Sequence, residues 1–66
     1  MRNKLIAARK AAKETETSMA RKLGLVRPGY AGFELGWTSS EGMSDEMLTK
    51  IREILKNYDE DLFDNK

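Results

Sequence analysis

Three cations stand close together in the middle of the chain, Arg21 and Lys22 as neighbours and Arg27 just beyond a glycine. Side chains of this type neutralise phosphate oxygens, and arginine alone can read a guanine edge in bidentate fashion. Pro28, Gly29, Ala31 and Gly32 follow, a run of small surfaces that ends near Trp37. Thr15 supplies a hydroxyl ahead of the cations. The chemistry on offer is binding. The chain has no histidine, so it lacks the commonest general base and metal ligand, and no cysteine, so it has neither disulfide nor thiolate site. The carboxylates of the second half have no glycine-rich phosphate loop beside them. The acidic tail over residues 59–64 lacks the glycine and terminal glutamate of a helix-loop-helix calcium site. Neither an enzyme nor a metal or other cofactor is expected.

The elements that must position these residues are helices. Thr15 can cap a helix over residues 15–23, on which Met19, Ala20 and Leu23 form a one-sided apolar set. Gly24 stands where that helix must stop, because glycine enters the left-handed region at no steric cost. Pro28 suits the first turn of a next helix over residues 28–35, where its missing donor does no harm. Tyr30 and Phe33 share one face of it, and Gly36 ends it. Two short helices joined by a glycine turn, with the small Ala20 at the crossing, read as a helix-turn-helix, which makes DNA the leading partner.

Around this pair, Leu5, Ala8 and Ala12 mark a first helix over residues 3–13. Residues 36–44 read as a polar loop. Ser44 caps a last helix carrying Met47, Leu48, Ile51, Ile54 and Leu55, the clearest amphipathic pattern in the chain, which Asn57 can stop. Residues 61–63 form one more turn that returns Leu62 and Phe63 to the core. Met19, Met43 and Met47 read as core filler. The expectation is an all-α, compact bundle of four to five short helices, one domain over residues 1–63, with residues 64–66 as a frayed tail.

Charge is unevenly spread. Residues 1–36 hold eight basic against three acidic residues, and residues 37–66 hold four basic against eight acidic. The basic half contains the helix pair and can face phosphates while the acidic half turns away. Lys10, Lys13, Arg21 and Lys22 are the candidate phosphate contacts. No apolar run reaches the roughly 20 residues that span a bilayer, and the charged N-terminus does not read as a secretory signal. A cytoplasmic location is expected, with no membrane partner.

The pattern T-x3-MA-x2-LG-x8-FE-x-G, from Thr15 to Gly36 with Arg9 six residues ahead of it, resembles the lambda-repressor and Cro-like helix-turn-helix family. Leu5, Ala8, Ile51, Leu55 and the terminal DEDLF extend the likeness over nearly the whole chain. The resemblance implies a phage or bacterial transcriptional regulator that binds operator DNA, often as a homodimer. It also implies an ion pair between Arg9 and Glu34 that joins the first and third helices. By its alignment, positions 27, 28, 29, 31 and 32 face base edges. This chain departs from the family at Glu16, where glutamine is usual, and at Glu14, where an apolar residue is usual. Its base-facing positions hold Arg27, Pro28, Gly29, Ala31 and Gly32, of which only Arg27 can read guanine. The loop after Gly36 is longer than usual and carries Trp37 and Glu41. The alternative reading is therefore an antirepressor that uses the same surface, with Trp37, to dock on a repressor protein.

Overall fold

The computed structural model describes residues 1–65. Four α-helices follow in order: α1 (Asn3–Ala11), α2 (Glu16–Leu23), α3 (Arg27–Leu35) and α4 (Asp45–Leu55), with a 3-10 turn at Ser40–Gly42 in the loop before α4. No strand occurs among the described residues. The chain is a compact, all-helical bundle of 24 × 23 × 20 Å. α2 packs on both α3 and α4, and α1 packs on α3.

The starts of α2, α3 and α4 follow from a local hydrogen bond or a fixed backbone. Thr15 Oγ1 accepts from the Ser18 N–H at 3.0 Å, and Ser18 Oγ accepts from the Thr15 N–H at 2.9 Å, so two orphan donors of α2 are satisfied reciprocally. Ser44 Oγ accepts from the Met47 N–H at 3.2 Å and starts α4. Pro28 lies in the first turn of α3, which begins one residue earlier than expected, at Arg27.

The helix ends share one device. Gly24 (φ 73°) and Gly36 (φ 89°) turn left-handed after α2 and α3. Leu25 N–H then donates back to Ala20 C=O at 2.8 Å, and Trp37 N–H to Gly32 C=O at 2.9 Å. Lys13 (φ 60°) and Lys56 (φ 51°) do the same for α1 and α4. Glu14 N–H reaches Arg9 C=O at 3.0 Å and Asn57 N–H reaches Arg52 C=O at 3.1 Å. The expected limits of α1 at residue 13 and of α4 at Asn57 therefore move inward. Asn57 serves the next turn instead, its Oδ1 accepting from the Asp59 N–H at 3.0 Å.

Leu5, Met19, Ala20, Leu23, Tyr30, Phe33, Ile51, Leu55 and Leu62 form the buried core, and Met43, Met47 and Phe63 pack against it. Leu62 and Phe63 do return to the core, on the expected turn. Arg2, which carried no expectation, is 3% exposed. Its guanidinium lies 4.1 Å from the Phe33 ring centroid, Nε donates to Phe63 C=O at 2.9 Å, and Nη1 donates to Phe33 C=O. Its backbone N–H donates to Glu34 C=O at 2.7 Å. A cation thus closes the C-terminal end of α3, where unpaired carbonyls collect negative charge. The Phe33 and Phe63 rings sit 5.8 Å apart, and Arg52 covers the other ring at 4.7 Å. Asn65 lies against Gly36, and Lys66 of the expected tail lies outside the described residues.

Candidate nucleic-acid interface

The site is built from the α1–α2 turn upward. Glu14 sits in that turn, where Lys22 Nζ donates to its Oε2 at 2.6 Å and Ser18 Oγ donates to its Oε1 at 2.6 Å. The hydrogen bond from Lys22, and after it that from Ser18, hold the Glu14 carboxyl below the ordinary glutamate range. Two expected contact residues are thereby engaged inside the molecule. Thr15 spends its hydroxyl on the helix cap, and Lys22 shares its charge with Glu14 while its side chain stays half exposed.

Arg9 and Glu34 form the ion pair that the resemblance implies. Arg9 Nε meets Glu34 Oε2 at 2.6 Å and Nη2 meets Oε1 at 3.3 Å, with side chains only 11% and 4% exposed. Nη1 donates to Glu14 C=O at 2.9 Å, so one guanidinium joins α1, α3 and the α1–α2 turn. Burial works against the charge of Arg9, but the hydrogen bond and charge of Glu34 prevail and raise its pKa. Beside the pair, the Tyr30 hydroxyl is buried without a hydrogen-bond partner. Burial first, and the neighbouring Glu34 carboxylate after it, push that phenol well above its usual range.

The outer face of α3 is not as uniform as its sequence suggested. Arg27, Pro28 and Gly29 are exposed and Ala31 is half-buried, but Gly32 is buried. A side chain at Gly32 would meet Trp37 Cε3 and Thr38 Oγ1 at 3.8 Å, so this position lies in contact with the start of the following loop. Trp37 itself is 82% exposed. Arg27, Pro28, Ala31, Gly32 and Trp37 meet Met1, Ile6 and Lys10 of the N-terminal segment along an open groove of about 510 Å3. Gly29, Thr15, Arg21 and Lys22 lie outside that groove's lining. Glu16 and Leu35 complete its edges. Met1 and Ile6 were missed because a lone apolar residue before α1 and one on it carry no contact signal of their own. Only packing of α1 against α3 brings them to the groove.

Pairing decides which charges stay available. Lys4 is bound to Asp61 at 2.5 Å, Arg9 to Glu34 and Lys22 to Glu14. Among the described residues, Lys10, Lys13, Arg21 and Arg27 form no ion pair, and all four are exposed. Three of the four, Lys10, Arg21 and Arg27, belong to the groove or to α2 and α3. Comparison with known proteins finds no matching family model, curated relative or solved structure. Among the described residues no helix is long and apolar enough to cross a membrane.

Proposed function

We propose that the chain is a small DNA-binding transcriptional regulator of the lambda-repressor and Cro-like kind, with α2 and α3 acting as its helix-turn-helix. One observation carries the reading. The open groove along α3 is lined by Lys10 and Arg27, which form no ion pair among the described residues, and Arg21 is exposed on the neighbouring α2. These contact phosphates, which supplies sequence-independent affinity and steering. Base reading falls to Arg27, by a bidentate contact to guanine, and to Pro28 and Ala31, by apolar contact with thymine methyls. With so few base contacts, discrimination comes in large part from DNA shape. The protein acts as a binding module, not an enzyme, in the cytoplasm where operator DNA resides.

The test is duplex titration followed by anisotropy over a salt series. Affinity should fall steeply with salt, and the double variant Arg21→Ala/Arg27→Ala should lower the log–log slope by about 2, one phosphate per residue. Binding indifferent to salt, or none at low salt, overturns the reading.

A second reading has its own observation. Trp37 is 82% exposed beside small residues, and Glu16 borders the same groove, where it repels phosphate. Both features suit a repressor protein as partner. In that case Trp37→Ser abolishes regulation and capture of the repressor while leaving DNA affinity unchanged.

A further inference from the structure

We infer that the groove along α3 takes DNA at an unpaired base, which stacks on Trp37 while the phosphates beside it meet Lys10 and Arg27. This rests on the reading that the groove contacts DNA, and it names which DNA the groove prefers.

Trp37 is 82% exposed, yet its backbone is fixed. Gly36 turns left-handed at φ 89°, Trp37 N–H donates to Gly32 C=O at 2.9 Å, and Thr38 N–H donates to the same carbonyl at 3.4 Å. One edge of the indole passes close to Gly32, where a Cβ would stand 3.8 Å from Cε3. The rest of the ring is left to solvent. A group held in this way before binding loses little freedom on docking. An exposed indole offers a π-face and a single N–H donor. Bases in a paired duplex are stacked on one another and present their edges, which are read by hydrogen bonds. An unpaired base presents its face, and every base has one.

The electrostatic setting suits a strand beside that ring. Trp37, Lys10 and Arg27 line one groove, with Ile6, Ala31 and Leu35 as apolar walls. Neither Lys10 nor Arg27 forms an ion pair among the described residues. Glu16 opposes them at the groove edge, and Glu41 is exposed in the loop after Trp37. Glu34 also lines the groove but is bound to Arg9. Within the lining, two cations outside ion pairs therefore face one such carboxylate. A cationic groove beside an aromatic ring is the combination that holds unpaired strands, with phosphates on the cations and bases on the ring. The outward positions of α3 offer paired bases little else. Arg27 alone can bond guanine in bidentate fashion, and Pro28, Gly29 and Ala31 carry no hydrogen-bonding side chain. Tyr58, the other exposed aromatic side chain, lies outside the lining.

Trp37 is the only tryptophan, so its emission reports on the groove. Three probes test the inference: a short paired duplex, the same duplex carrying one bulged thymine, and a short oligothymidine. The bulged duplex should bind about tenfold tighter than the paired one, the scale of one base stacked on an aromatic ring. It should quench the Trp37 emission, as should oligothymidine. Trp37→Ser should bring the bulged duplex down to the affinity of the paired one, and Trp37→Phe should keep most of the preference. Tyr58→Ser should leave both affinities as they are. A paired duplex bound as tightly as the bulged one overturns the inference and leaves the DNA reading standing. So does a preference that survives Trp37→Ser, or one that comes without quenching, since the bulge then acts through DNA flexibility. Quenching by the bulged duplex and by oligothymidine, with no binding of the paired duplex at low salt, supports the stacking and overturns the operator reading. No binding of any probe overturns both.

Discussion

Arg9 owes its position to Glu34, and the pair is costly to break from one side. Removing the carboxylate leaves a guanidinium whose side chain is 11% exposed with only the Glu14 carbonyl as partner. Loss of one member of a buried pair costs about 3–5 kcal/mol. Glu34→Ala should therefore lower Tm far more than Glu53→Ala, a change at an exposed α4 position, and equal melting temperatures would show that the pair carries no stability. Glu14 makes a prediction in pH. Its folded pKa is depressed by Lys22 and Ser18, so its contribution is present above the unfolded value and is lost as pH falls through the folded one. The Tm of the wild type should exceed that of Glu14→Gln at neutral pH, and the gap should close on acidification below the ordinary glutamate range. A gap constant with pH would place the stabilisation elsewhere. The sequence marked Glu14 only as an unusual replacement of an apolar residue. Its service to Lys22, eight residues on, became visible once α2 was placed.

At the scale of elements, the four left-handed stops show where sequence reading succeeds and where it runs short. Gly24 and Gly36 announced their stops, since glycine alone adopts this conformation without cost. Lys13 and Lys56 did not, because lysine is a good helix former and nothing local marks it as a terminator. The hydrogen bonds from Glu14 and Asn57 back into the preceding turn compensate the strain there. The two glycines are not equivalent. A Cβ at Gly24 meets nothing within 4 Å, whereas one at Gly36 would run into the side-chain amide of Asn65. Gly24→Ala should cost only the left-handed strain, about 1–2 kcal/mol. Gly36→Ala should cost more, and in an Asn65→Ala background its cost should fall to that of Gly24→Ala. Chemical denaturation of the four variants measures this directly, and identical costs at both glycines would mean that Asn65 does not occupy the space over Gly36.

For the whole molecule, closure depends on a residue near one end of the described chain meeting residues near the other. Arg2 stacks on Phe33 and bonds the carbonyls of Phe33 and Phe63, while Arg52 covers Phe63 and Lys4 reaches Asp61. Two aromatic rings between two guanidinium groups thus hold α1, α3, α4 and the last turn together. Burial lowers the pKa of Arg2, which is the mark of a desolvated cation and not of a surface contact. Arg2→Ala should destabilise the fold by about 3 kcal/mol, combining a desolvated cation–π contact with charge-assisted hydrogen bonds. Arg2→Lys should not restore it, because an ammonium cannot stack and bond two carbonyls in a plane. Full recovery by lysine in thermal melts would reduce the role of Arg2 to its charge.

The helix count, the caps at Thr15 and Ser44, the glycine stops and the core of Leu5, Met19, Leu23, Tyr30, Phe33, Ile51 and Leu55 were legible in the sequence. Each depends on near neighbours along the chain or on a repeating apolar spacing. The basic and acidic halves were legible too, being a matter of counting. Tertiary structure alone decided the rest, because it depends on residues distant in sequence. It buried Arg2 against Phe33 and Phe63, set Gly32 under Trp37, and withdrew Lys4 and Lys22 from the free positive charge by giving each a carboxylate. It also joined Met1, Ile6 and Lys10 to the outer face of α3 as one groove. A side chain's type is written in the sequence, but whether its charge or apolar surface stays available depends on what the fold packs against it.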